Sequence, residues 1–289
     1  MLSLPQDIEL PFFAYGAFKP GELAYTQIER FLGDQAVQAL AKGRLLIRDG
    51  LPLFDDEGSG SISGWLLTFS AENCRIGYEA ICNFEPKAIY FWEKTTLSSP
   101  PVVANVLKGK MLTKGRPQDF EKDSWSFDLD PVFQYGLKAV EEISNQLGQE
   151  SFAAAPPESF DWPRFFRLQM AYLLLWSAIE RFASFAYGPG LRPEQKIICL
   201  GADIRFISAI EKHLPSESQE VSDSRDPSKK SHLDLAHPEE AADYFYQVRC
   251  NLSHRGKGAW LDGEIVRESL LILLGAFKEM LSSHKSIPK

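Results

Sequence analysis

The chain has 289 residues, 44% of them apolar and 24% charged, a balance that excludes a disordered or fibrous polymer. Its longest apolar run, Met170 to Trp176 in the most hydrophobic stretch, is seven residues and far too short to span a membrane. The formal charge of −8 is unevenly placed: residues 1–118 carry 12 basic and 13 acidic side chains, residues 119–289 carry 19 and 26. A second part at −7 argues against nonspecific duplex binding, which needs many phosphate-neutralising cations, so any nucleic-acid role must come from a local site.

Other classes fall away on motif grounds. The opening MLSLPQDIELPFF has no basic segment and places Asp7 and Glu9 where a signal sequence would be apolar, so a cytoplasmic location is expected. The four cysteines (Cys74, Cys82, Cys199 and Cys250) form no CxxC pair and have no histidine-rich spacing. No metal or cofactor is expected, and there is no Walker loop, GxGxxG or GxSxG.

In chain order, FFAYGAF (12–18) reads as an aromatic strand ended by the turn KPGE. Residues 24–42 carry helical spacing through Ile28, Phe31, Leu32, Val37, Leu40 and Ala41. GRLLIRDGLPLF (43–54) reads as strand, DG turn and strand. GSGSISGWLLTFS (58–70) and AIYFWEKTTL (88–97) supply further strands. The run KGKMLTKGR (108–116) has four cations and reads foremost as a solvated loop, with an RNA-guiding role as the alternative.

After residue 118 the period changes to 3.6. A helix is expected over Asp130–Leu147 with Pro131 in its first turn, followed by the Pro/Ala-rich linker 151–163. Helices are expected over about 164–187, 193–214, 238–255 and 263–283; the first is apolar nearly all round and should be the central, most buried one. The polar stretch 216–231, with Val221 its sole apolar residue, reads as a mobile loop. The fold class is therefore α+β: a small mixed β-barrel followed by an all-α bundle of four to five helices. The expected domains are 1–118, a helix-and-linker segment 119–159, and 160–289.

PFFAYGAFKPGE, GRLLIRDGLPLF, SISGWLLTF and NFEPKAIYFW, in this order over residues 11–110, resemble the gamma-glutamylcyclotransferase-like fold. The resemblance implies an acid-base role for Glu85, with Tyr90 as the aromatic after it. It also implies substrate binding at the turn Tyr15, Gly16, Ala17 and Phe18, whose N–H groups would hold an α-carboxylate. The implied reaction closes a γ-glutamyl compound to 5-oxoproline by attack of its own α-amine on its γ-carbonyl. One carboxylate suffices as proton carrier, and the substrate already holds nucleophile and electrophile together. Such a Glu85 needs a partly apolar pocket, for which Phe84, Ile89 and Tyr90 are at hand; the alternative is an exposed acid at a Glu-Pro turn. Ala17 stands where the family has a hydroxyl and Pro86 where it has Gly.

YFYQVRCNLSHRGKG (244–258) ends an amphipathic helix and places Arg249 and His254 with four residues between them. With the apolar helix MAYLLLWSAIERF, this resembles the Arg-x4-His signature of HEPN domains over about 160–285, with Cys250 where a polar residue is usual. The resemblance implies a metal-independent ribonuclease with Arg249 and His254 catalytic. Asn251, Arg255 and Lys257 are candidate RNA or phosphate contacts. Five residues along a helix turn about 140° and rise ~7.5 Å, so one Arg-His pair cannot close on one phosphate; a composite site in a homodimer formed through the bundle can. Glu180 reads either as a supporting partner of Arg249 or as part of a solvent stripe with Arg181.

The leading expectation is a two-domain protein in which the bundle cleaves RNA and the barrel senses or processes a γ-glutamyl-type small molecule, in bacterial stress or phage defence. One alternative is an active cyclotransferase, a transferase rather than a hydrolase, whose bundle only dimerises it. The other is a ligand-binding or interaction protein with both sites dead. The expected partners are RNA, the γ-glutamyl-type molecule and a second copy, with no membrane.

Overall fold

The computed structural model describes residues 2–48, 50–110, 118–147, 151–152, 156, 158–254 and 262–285, the side chains of 254, 284 and 285 excepted. These residues divide into two units. The first comprises Met1–Pro131 and Ser184–Leu191, the second Val132–Ala183 and Arg192–Ile287. The architecture is α+β, with a closed five-stranded mixed barrel and seven α-helices among the described residues.

In the first unit the strands are β1 (Phe12–Ala14), β2 (Val37–Lys42), β3 (Arg44–Arg48), β4 (Leu51–Asp55), β5 (Ser61–Leu67), β6 (Tyr90–Ser99), β7 (Val103–Gly109) and β8 (Gln118–Asp119). Helix α1 (Cys74–Phe84) joins β5 to β6. The barrel runs β1-β5-β2-β6-β7 and closes where β7 returns to β1 in parallel, Phe12 opposite Asn105. Strand β4 joins β7 in parallel at Phe54 and Lys108, and β3 and β8 extend the sheet beyond it.

Aromatic residues fill the space between α1 and the barrel. Phe69 meets Tyr78, Tyr78 meets Trp92, Trp92 meets Phe12, Phe12 meets Phe18 and Phe18 meets Phe84, all edge to face at centroid separations of 5.0–6.1 Å. Each such pair contributes about 0.5–1.5 kcal/mol beyond its area. The chain of rings ties the last turn of α1 to the segment that follows β1.

The strands expected at 43–54, 58–70 and 88–97 are present as β3 with β4, β5 and β6. Residues 24–42 are not helical. Two 3₁₀ turns, Tyr25–Gln27 and Glu29–Phe31, precede β2, which buries only Ala39 and Ala41 and leaves Val37 and Leu40 exposed. The apparent 3.6 period arose from outward-facing aliphatics, while the residues that decide the strand are small. Helix α1 was not anticipated.

In the second unit a π-helical turn, Val132–Gly136, leads into α2 (Leu137–Leu147). The rest is α3 (Trp162–Ala186, whose final residues belong to the first unit), α4 (Pro193–Ala202), α5 (Ile204–Ile210), a hairpin of β9 (Gln219–Asp223) and β10 (Asp226–Leu233), α6 (Ala241–His254) and α7 (Gly263–Lys285). Helix α3 buries Phe165, Leu168, Tyr172, Leu175, Trp176, Ile179 and Phe182, although Phe166 and Met170 are exposed. The expected helix over 193–214 breaks at Asp203, whose carboxylate accepts the Arg205 N–H and caps α5.

The stretch expected as a mobile loop, 216–231, is mostly this hairpin. Val221 and Leu233 are buried, and Arg225 pairs with Asp223, Lys229 with Asp226 and Lys230 with Glu220. Its pairing rests on ladder bonds and local ion pairs rather than apolar content, which is why composition misreads it.

Gly64 of β5 tests the barrel's packing. A Cβ there would lie 2.6 Å from the Ala14 carbonyl oxygen and 2.7 Å from the Phe13 ring, and backbone cannot give way. Gly64→Ala is expected to cost about 1–3 kcal/mol in denaturant unfolding. Gly190→Ala, where nothing lies within 4 Å, is expected to leave stability within about 0.5 kcal/mol.

Candidate functional site

Glu85 caps the C-terminus of α1, its N–H donating to the Ile81 carbonyl at 2.9 Å. The preceding Phe84 rests edge-on against Phe18 at 5.1 Å, which sets Glu85 beside the turn after β1. Glu85 lines one cavity with Tyr15, Gly16, Ala17, Phe18 and Tyr90; the opposite walls come from Phe12, Ala14, Leu51, Pro52 and Leu107. Its free volume is about 30 Å³, a narrow slot.

Glu85 is the only charged residue lining this slot, and its carboxylate has no hydrogen-bond or ion-pair partner among the described residues. Desolvation pushes its pKa from 4.5 up to about 8. The carbonyl end of α1 beside it acts in the same direction.

The other side of the slot supplies donors. The N–H groups of Gly16, Ala17 and Phe18 donate to no acceptor among the described residues, while the Gly16 and Ala17 carbonyls accept from Lys19 and Ala24. Gly16 sits against Pro52, whose Cγ lies 3.0 Å from where a Cβ would be, so the backbone itself forms the wall. The hydroxyl of Tyr15 donates to the Leu107 carbonyl at 2.5 Å and accepts the Phe54 N–H at 3.2 Å. That of Tyr90 donates to the Pro52 carbonyl at 3.0 Å. Both tyrosines therefore contribute rings to the slot and spend their hydroxyls on neighbouring strands. Burial and the nearby Glu85 hold the Tyr15 phenol far above its usual range.

Sequence reasoning missed the frame of the slot. Buried Lys19 donates to Ser124 Oγ at 3.0 Å and to the Trp125 carbonyl. Buried Glu22 accepts the Phe127 N–H at 2.9 Å, and its pKa rises to about 7 through desolvation, opposed by Lys19. Trp125 Nε1 donates to the Gly50 carbonyl at 3.0 Å. Residues 124–127 thus strap the turn after β1 to Gly50, which directly precedes Leu51 and Pro52 at the start of β4. The signal available was the pair of charges in KPGE, too short a motif to reveal burial.

In the second unit Arg249 donates to Glu180 Oε1 at 3.3 Å and lies 5.7 Å from the Tyr246 ring centre. Of the two readings of Glu180, the paired one is present. Asn251 is buried, and most of its amide's hydrogen bonds are made within the fold. Its Oδ1 accepts Ser224 N–H and Gln247 Nε2, and its Nδ2 donates to the Ser222 carbonyl at 2.8 Å, clamping the β9–β10 turn. These bonds leave one Nδ2 hydrogen of the amide for any further contact. Cys250 is half-buried, and burial raises its thiol pKa. His254 ends α6, but its side chain, Arg255 and Lys257 lie outside the described residues, as does most of the basic run 108–116.

Among the described residues no group of His, Cys, Asp and Glu is arranged to hold a metal, and no helix is long and apolar enough to cross a membrane. No family model matches the chain, and no curated protein matches it. A solved structure, that of an uncharacterized protein from Pyrococcus horikoshii, is similar at 16% identity and a TM-score of 0.31, covering 41% of this chain and 90% of its own.

An unpaired, half-buried carboxyl has a stability signature. The fold prefers neutral Glu85, so between pH 4.5 and about 8 the folded state keeps a proton that the unfolded chain releases, and stability falls as pH rises. Glu22 acts in the same direction up to about pH 7. Glu85→Gln is expected to be more stable than the parent at pH 8, by on the order of 3 kcal/mol, with the gap closing toward pH 4. Denaturant unfolding at the two pH values measures this; a variant less stable at pH 8 would mean that the carboxylate is compensated.

Proposed function

We propose that the first unit binds a γ-glutamyl-type compound and cyclises it to 5-oxoproline, with Glu85 as the proton carrier. The observation that carries this reading is one slot lined both by a carboxyl without a partner and by three residues whose N–H groups have no acceptor among the described residues. The similarity of residues 11–110 to the gamma-glutamylcyclotransferase-like fold supports it.

In this reading the N–H groups of Gly16, Ala17 and Phe18 receive the substrate's α-carboxylate, a site made of backbone and so indifferent to the missing hydroxyl at Ala17. Ionised Glu85 takes a proton from the α-ammonium. The freed amine attacks the γ-carbonyl carbon, and the bond from that carbon to the leaving nitrogen breaks. The two protons lost by the attacking nitrogen pass through Glu85 to the leaving amine, which departs as an ammonium ion. A carboxyl with a pKa near 8 suits both halves, since at neutral pH neither form is scarce by more than about tenfold. Pro86 stiffens the backbone after Glu85, and its carbonyl accepts the N–H groups of Ile89 and Tyr90, fixing the turn into β6. A free volume of about 30 Å³ is less than a γ-glutamyl group needs, so binding entails displacement of the slot's walls.

The expected outcome is release of 5-oxoproline from γ-glutamyl amines, with kcat/KM rising with pH through a midpoint near 8 and falling at least about 100-fold in Glu85→Gln. No product from a broad γ-glutamyl panel would overturn catalysis.

A second reading is favoured by Arg249, whose partly exposed guanidinium is steadied by Glu180 and Tyr246 in the last turns before His254. Here the second unit, similar to HEPN domains, is a metal-independent ribonuclease acting through Arg249 and His254 across a homodimer, with Arg255 and Lys257 on the phosphate, in bacterial stress or phage defence. His254→Ala is expected to abolish RNA cleavage while leaving the thermal melt unchanged; unchanged cleavage removes the reading.

A further inference from the structure

The second unit holds a larger cavity that neither reading uses. It lies between α4 and the start of α6, with a volume of about 470 Å³. Its floor is apolar, formed by Ile197, Ala202, Ala242 and the ring of Tyr246. Gly201 brings α4 onto the turn before α6: a Cβ there would lie 2.7 Å from the Glu239 carbonyl oxygen, so the spacing of the two walls is built into the backbone. Ile198 also lines the groove and is 71% exposed.

The rim is acidic. Glu194 stands on α4, and Glu239, Glu240 and Asp243 on the opposite wall; among the described residues no Lys, Arg or His lines the groove. Glu239 faces His237 at 3.4 Å and Asp243 accepts the Ser231 hydroxyl, whereas Glu194 and Glu240 meet no cation among the described residues. Four carboxylates around apolar surface repel one another and any phosphate backbone.

We propose that this groove docks a cationic amphipathic segment of a partner protein, an aliphatic or aromatic face on Ile197, Ile198, Ala242 and Tyr246 with flanking Lys or Arg on the carboxylates. Charge complementarity carries the choice, because the four charged side chains that line the groove among the described residues are all acids and two of them, Glu194 and Glu240, meet no cation there. A peptide fits better than a small organic cation because Ile198, though it lines the groove, is 71% exposed and takes an extended apolar face to cover it.

The test uses the full chain and a labelled synthetic helix of about 15 residues, Leu on one face and Lys on the other, with a Leu/Glu counterpart as control. Fluorescence anisotropy is expected to show binding of the Leu/Lys peptide alone, weakened about tenfold on going from low salt to roughly 0.3 M. Glu194→Lys with Glu240→Lys should weaken it at least about tenfold. Ile198→Ser should weaken it without changing the salt dependence, and Glu211→Lys, an exposed acid outside the groove, should change nothing. Four results overturn the proposal: no binding of the Leu/Lys peptide, equal binding of both peptides, equal loss in Glu211→Lys, or conversion of a dimer to a monomer by Ile198→Ser, which would assign the groove to a second copy.

Discussion

The slot in the first unit depends on one group, the Glu85 carboxyl placed at the negative end of α1 with no counter-charge to meet it among the described residues. Such a placement opposes folding, and the structure holds it only because stronger contacts decide where α1 ends. The edge-on stack of Phe84 against Phe18 and the run of rings from Phe69 to Phe12 fix the helix against the barrel. The carboxyl is carried into the slot as a consequence. A carboxyl of altered acidity lining a slot is a candidate for chemistry, and that is the physical basis of the role proposed for Glu85.

The barrel's strands were legible because their signals are local: β-branched and aromatic runs bounded by Gly, Pro and Asp. The slot was legible in part. Glu85, Tyr15 to Phe18 and Tyr90 come from two short segments that the family resemblance singles out, and they share one cavity. Leu51 and Pro52, which complete it, carry no chemical signal and could be found only from the fold. The tyrosine hydroxyls show the opposite problem. Residue type marks them as ligands for a substrate, yet strand pairing had already committed them to the Leu107 and Pro52 carbonyls.

Two errors share a cause. Val37 and Leu40 suggested a helix face because aliphatic residues are usually inside, but β2 turns its alanines inward. The stretch 216–231 suggested disorder because it is polar, but Asp-Arg and Glu-Lys pairs and the Asn251 clamp organise it as a hairpin. In both cases hydrophobicity was read as the driver where backbone hydrogen bonding and a distant side chain decided. Asn251 lies 27 residues from Ser224, so no local window contains the interaction.

The charge of the second part follows the same logic at a coarser scale. A sum of −7 over residues 119–289 says that phosphate binding must be local, but it does not say where the acids are. The fold separates them into two kinds. Glu180 neutralises Arg249, so the end of α6 is less cationic than the run Arg249 to Lys257 implies, and any phosphate contact there must compete with a carboxylate already 3.3 Å away. Glu194 and Glu240 neutralise nothing among the described residues and stand across an apolar floor. Unspent charge beside unspent apolar surface favours association, because a partner bearing the opposite sign relieves the repulsion and covers the surface in a single step.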